Sequence, residues 1–80
     1  MNDQTIRKVI ALIAAELGVP AGKLNAGSSI ETVLEWDSMA HLNICLALQE
    51  SFGIKIDMDT IGEVTSVKAL AALVEKAGGR

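Results

Sequence analysis

Aromatic residues are almost missing from this chain: of 80 residues one is tryptophan, one phenylalanine and none tyrosine. A core must therefore be built from aliphatic side chains, and a hydrophobic half of the residues suffices only if most of them share one interior. The single cysteine, Cys45, excludes an internal disulfide and fits a reducing compartment. Seven Lys and Arg against ten Asp and Glu leave a formal net charge of −3, and the cations are scattered. With no basic stripe, nucleic acid and anionic membrane surfaces are unsuited as partners, and a partner with basic groups near its entrance is better matched. Long hydrophobic runs are also absent. The apolar stretches around Val9 to Ala15 and Ala69 to Val74 fall far short of a bilayer span, and Met1-Asn2-Asp3-Gln4 lacks the basic start of a signal peptide. We expect a cytoplasmic, monomeric protein with one small domain over residues 1–80, without internal repeat or low-complexity linker.

What is present is helical periodicity. Ile6, Val9, Ile10, Ile13 and Leu17 recur at helix spacing, with Asn2, Asp3 or Thr5 available as cap and Gly18 as stop before Val19-Pro20. The next stretch, to Trp36, is turn-rich (Ala21-Gly22-Lys23, Asn25-Ala26-Gly27-Ser28-Ser29). Isolated apolar anchors at Leu24, Ile30, Val33 and Leu34 suggest a long ordered loop pinned to the core. A second helix is predicted from about Ser38 to Ser51, with Gly53 just past its end. Its Met39, Leu42, Ile44, Cys45, Leu46, Leu48 and Phe52 cover more than half the circumference, so several neighbours should pack on it. The expected contacts run from Leu42, Leu46 and Phe52 to Ile10, Ile13 and Leu17 of the first helix and to Leu70, Leu73 and Val74 of the last. Asp57, Asp59 and Thr60 offer caps for a short third helix. Ser66 caps a fourth, whose inward stripe is Val67, Leu70, Leu73 and Val74 and which ends before Gly78-Gly79-Arg80. Outside Ile54-Lys55-Ile56 no alternating pattern of useful length occurs. The expected fold is an all-α bundle of three longer helices and one short one, with a long loop between the first two.

The segment Glu35-Trp36-Asp37-Ser38-Met39 leads directly into the second helix. An aspartate cap followed by serine places a hydroxyl on the first turn, where backbone N–H groups without intrahelical acceptors and the positive end of the helix dipole favour an attached anion. A phosphodiester would be well seated there. Asp37-Ser38-Met39, with Leu42, Leu46, Leu48 and Phe52-Gly53-Ile54 behind it, resembles the prosthetic-group site and second helix of acyl carrier proteins, and the likeness extends over the whole helical plan. The resemblance implies that Ser38 carries a covalent 4′-phosphopantetheine arm derived from coenzyme A. It implies carriage of acyl or aminoacyl thioesters, not catalysis. The implied partners are a phosphopantetheinyl transferase, an acyl- or aminoacyl-loading enzyme, and the synthases or transferases of a pathway. Asp37 and Met39 flank the attachment point and are the expected recognition residues, followed by Trp36, Glu50, Glu63 and Val64.

Each further candidate has a plain alternative. His41 could suggest a Ser-His hydrolase pair with Ser38, but a nucleophile needs a base held by a third group and an oxyanion hole in a pocket. We expect His41 at the rim of helix two. Cys45 lies within the apolar arc and reads as a small buried hydrophobe, not a reactive thiol. Trp36 either packs the loop onto the bundle or presents a face to partners. Asp57, Asp59 and Glu63 read as caps and a solvated face in preference to a metal site. Gly78-Gly79 resembles the tails of ubiquitin-like modifiers, but those belong to a β-rich fold, and a frayed end is the better account.

Departures from the family pattern are informative. Fatty-acid-synthesis carriers typically have Leu after the serine and a second helix studded with acids. Here Met39 stands in place of that Leu, and Ala40, Asn43 and Gln49 stand where acids are common; Glu50 is the one formal charge between Ser38 and Phe52. These differences argue for a pathway-dedicated carrier of the polyketide, lipid or peptide type. A peptidyl or aminoacyl carrier and an unmodified helical interaction module are the alternatives, and modification of Ser38 separates the last from the others.

Overall fold

A computed structural model describes residues 3–78, so Asn2 as a cap and Gly79-Arg80 lie outside the described residues, while the last helix runs through Gly78, one residue past its expected end. Four α-helices follow one another: α1 (Asp3–Leu17), α2 (Ser38–Phe52), α3 (Met58–Glu63) and α4 (Val67–Gly78), with a single 3₁₀ turn at Ala21–Lys23. No strand occurs among the described residues, and Ile54-Lys55-Ile56 is a connection in which the Ile56 N–H donates to the Gln49 side-chain carbonyl at 2.7 Å. The all-α bundle read from the periodicity is what forms.

Local chemistry explains the boundaries. Gly18 at φ 70° and Gly53 at φ 64° adopt the left-handed conformation that ends α1 and α2 and that residues with a Cβ resist. Asp37 and Asp57 cap α2 and α3, accepting the N–H groups of Ala40 and Thr60 at 2.8 Å each. The Thr60 backbone N–H, followed by its side chain, holds the Asp57 carboxyl below its ordinary range. Ser66 Oγ accepts the Ala69 N–H at 3.1 Å and starts α4.

α1 packs on α2 and α4, and α2 on α4. The shared core joins Val9 and Ile13 of α1, Ile44, Cys45 and Leu48 of α2, and Val67, Leu70, Ala71 and Val74 of α4. The stripe expected on α4 is confirmed, with Leu73 half-buried. On α2 the expected packing holds for Phe52, which is half-buried against the core, and is wrong for Leu42 and Leu46, which are 39% and 51% exposed, while His41, Ile44, Cys45 and Leu48 face inward. Those four follow an i, i+3, i+4, i+7 spacing. A helix apolar around most of its surface carries two such stripes, and its own sequence cannot select between them.

The loop between α1 and α2 is ordered and pinned as expected, through buried Leu24, Val33 and Trp36 and half-buried Ile30. An isolated antiparallel bridge pairs Ser29 with Ser66, where Ile30 N–H donates to the Thr65 carbonyl and Val67 N–H to the Ser28 carbonyl, both at 2.9 Å. Leu34 is not an anchor; it is 95% exposed. The Trp36 N–H closes a turn onto the Val33 carbonyl at 3.0 Å, so Val33 and Trp36 point inward and Leu34 and Glu35 occupy the outward corner.

Candidate functional site

The turn that buries Trp36 delivers the next two residues to the surface. Asp37 is extended (φ −103°, ψ −175°), its carboxylate takes the Ala40 N–H, and its carbonyl takes the His41 N–H at 2.8 Å. Ser38 is the first residue of α2 and is exposed. The N–H groups of Ser38 and Met39 belong to the first turn and have no intrahelical acceptor, so they lie beside the Ser38 hydroxyl with the positive end of the helix dipole. The hydroxyl is thus exposed beside N–H donors, with the neighbouring carboxylate occupied by the cap. The residues present fit a phosphodiester.

The structure brings some of the expected recognition residues to this hydroxyl and removes others. Asp37 and Met39 (71% exposed) flank it. Glu50 is exposed but lies about 18 Å along the helix axis, at 1.5 Å per residue. Glu63 is exposed at the end of α3, and Val64 is half-buried against the core. Trp36 is 1% exposed and presents no face to a partner, because its ring packs the loop onto the bundle. Gln49 is half-buried and engaged by the Ile56 N–H, so its amide has a structural use where an acidic residue was the comparison.

His41 is not a rim residue: it is 5% exposed. Its Nδ1 accepts the Trp36 indole N–H at 3.0 Å, and its Nε2 lies 2.8 Å from the Ile61 carbonyl oxygen of α3. The two rings sit 5.9 Å apart at 31°. Both ring nitrogens are therefore engaged away from Ser38, and the arrangement gives no base for a hydrolase pair. The signal that could have found this is the 41, 44, 45, 48 spacing, which puts His41 on the same stripe as three aliphatic or thiol side chains. Leu34, expected as an anchor, and Met58 (80% exposed) are further surface apolar residues.

Cys45 is fully buried, as expected, with Sγ 3.7 Å from His41 Nε2. Burial pushes its thiol up from the ordinary 9.0 to about 11. Below pH 9 the thiol is protonated in folded and unfolded chains alike and adds no pH dependence. Between pH 9 and about 11 the unfolded chain releases the proton first, so stability falls over that window, with a limiting slope of about 1.4 kcal/mol per pH unit. Urea melts across this range should show a larger loss in wild type than in Cys45→Ala. Iodoacetamide should leave native Cys45 unmodified near neutral pH and label it only in urea. Labelling of the native chain at the unfolded rate would show the site to be open.

Among the described residues no helix is long and apolar enough to cross a membrane, and no group of three His, Cys, Asp or Glu could hold a metal ion. Residues 7–74 match the family described as "Phosphopantetheine attachment site". The chain is 30% identical over 80 residues to an acyl carrier protein of Akkermansia muciniphila, covering 99% of this chain and 100% of that protein. It is 24% identical over 75 residues to an acyl carrier protein of Trieres chinensis, covering 94% of each. It is 30% identical over 73 residues to the chloroplastic acyl carrier protein 1 of Casuarina glauca, covering 91% of this chain and 54% of that protein. The chain thus spans about half the length of the chloroplastic relatives it matches. Because the match runs through all four helices and across the capped serine turn, the chain belongs to the phosphopantetheine attachment-site family as an acyl carrier protein, a non-catalytic carrier whose prosthetic group is a covalent 4′-phosphopantetheine.

Proposed function

We propose that Ser38 is the attachment residue and that the chain carries acyl or aminoacyl groups for one dedicated pathway of the polyketide, lipid or peptide type. When bound, the arm supplies a terminal thiol that holds the cargo as a thioester. The protein's own share is to seat the phosphodiester at the start of α2, through the Ser38 hydroxyl and the first-turn N–H groups, and to present a surface that partners recognise whatever the cargo. Docking places the tethered group at high effective concentration in a partner's active site. The proposed partners are a phosphopantetheinyl transferase, a loading enzyme and the pathway's synthases or transferases.

The observation that supports a dedicated pathway is the outward stripe of α2. Met39, Leu42 and Leu46 share one face, are 71%, 39% and 51% exposed, and run away from Ser38 with no acid until Glu50. Exposed charge steers encounter and is screened over about 10 Å at 0.1 M salt, whereas apolar contact is not. Binding to a basic partner should therefore be less salt-dependent than a helix rich in acids would make it, with Met39 supplying affinity and Asp37, Glu50 and Glu63 supplying attraction.

The test measures binding of the loaded protein to its pathway enzyme and to a generic ketoacyl synthase across a salt series. Met39→Ala should weaken the cognate complex by roughly tenfold, as truncation of an interface anchor does, and Glu50→Gln by less than about threefold. Equal affinity for the two enzymes, or a Glu50→Gln effect larger than that of Met39→Ala, would remove the support for a dedicated carrier.

A further inference from the structure

The buried imidazole next to the attachment turn joins the loop before α2 to α3 through both of its ring nitrogens. An indole N–H can only donate, so His41 Nδ1 must be its acceptor and carries no proton. The one ring proton of neutral His41 is then on Nε2 and donates to the Ile61 carbonyl. In a continuing helix that carbonyl would accept the N–H of Thr65. The chain leaves α3 at Val64 (φ −96°, ψ 69°), and the Thr65 carbonyl is committed to Ile30 across the bridge, so the segment has turned away. One ring therefore satisfies an orphan acceptor of α3 on one side and holds the residue before the Asp37 cap on the other.

α3 needs such a tie. None of its six residues is fully buried, and it adds to the core only through the half-buried side chain of Ile61. Burial alone holds such a short helix weakly, since a helix of fewer than three or four turns depends on tertiary contacts. Its exposed Glu63 belongs to the surface proposed for partner recognition, whereas Ser38 and Met39 stand on α2. A partner that reads both helices requires them in one relative placement.

We propose that His41 is a positioning residue that fixes α3 against the Trp36-Asp37-Ser38 doorstep, so that enzymes acting at Ser38 meet a preformed two-helix surface. This rests on Ser38 being the attachment residue. His41 touches neither substrate nor arm; it acts through Trp36 and Ile61. Its loss should weaken docking, because the free carrier must order α3 on binding, and leave the chemical step alone once docked.

The experiment follows transfer from coenzyme A by a broad-specificity phosphopantetheinyl transferase to wild type, His41→Phe, His41→Gln and Trp36→Phe, each checked for helical content by circular dichroism. His41→Phe keeps ring bulk and removes both hydrogen bonds; it should raise KM for the carrier roughly tenfold with kcat within about twofold of wild type. Trp36→Phe removes the N–H donor together with part of a fully buried ring, and should shift KM in the same direction by about threefold. His41→Gln, whose amide offers one acceptor and one donor, should recover most of the loss. A second readout needs no loading: amide hydrogen exchange of α3 should quicken by roughly tenfold in His41→Phe while buried amides of α1 and α4 keep their wild-type rates. A merely structural role would quicken all helices together, and that result overturns the proposal. So does a wild-type KM in both His41→Phe and Trp36→Phe. A wild type that accepts no arm overturns instead the Ser38 reading, which keeps the two failures distinct.

Discussion

Ser38→Ala is expected to take up no prosthetic group, while wild type incubated with coenzyme A and a phosphopantetheinyl transferase gains the mass of one arm. The loss should be complete and not partial, because among the described residues Ser38 is the one exposed hydroxyl at the first position of an α-helix, Thr5 and Thr60 on the first turns of α1 and α3 being half-buried. Ser29 and Ser66 are half-buried at the bridge that ties the loop to α4, and Ser51 sits in the last turn of α2, at the negative end of its dipole. The variant should stay folded. The cap of α2 is the Asp37 carboxylate, Ser38 is exposed at the first helical position, and alanine is at least as good a helix former there. Asp37→Ala separates the two roles, with an expected cost of about 1 kcal/mol of stability from the lost cap and an arm still attached. Intact mass spectrometry and a thermal melt decide both points. A modified alanine variant, or an unmodified wild type with several transferases, would sink the assignment.

The second large effect is in the core, where the structure reverses the phase that the sequence suggests for α2. Leu48→Ala should cost roughly 2–5 kcal/mol, since Leu48 is fully buried and its removal leaves a cavity among α1, α2 and α4. A domain of this size has a total stability of only about 5–15 kcal/mol at best, so a large part of the variant should be unfolded at moderate urea. Leu46→Ala, two residues earlier and 51% exposed, should cost about 1 kcal/mol or less. Equal midpoints in urea for the two variants, or a greater loss at Leu46, would show that the inward stripe is not 41, 44, 45 and 48.

Much of this protein was legible from short-range signals. The caps at Asp37, Asp57 and Ser66, the stops at Gly18 and Gly53, and the single-stripe periodicity of α1 and α4 each act within one or two helical turns, so four helices and the exposed serine follow from neighbouring residues alone. The acyl carrier resemblance rests on the same local motif. The inner face of α2 was not legible in this way. Its apolar residues fall on two competing stripes, and only the positions of α1, α4 and the loop determine which stripe loses its water. Leu34 likewise reads as an anchor until the Val33–Trp36 turn places it at an outward corner.

Sequence by itself thus determined the helix count, the loop, the capped serine and the small aliphatic core, because hydrogen bonding at helix ends and hydrophobic spacing are properties of adjacent residues. Tertiary structure alone decided that His41 is buried, that Trp36 is hidden and that Met39, Leu42 and Leu46 remain on the surface. A histidine can be buried without large cost only where both ring nitrogens find partners. Here one partner is an indole from the preceding loop and the other a carbonyl from a helix twenty residues further on, two groups that only the folded chain brings together.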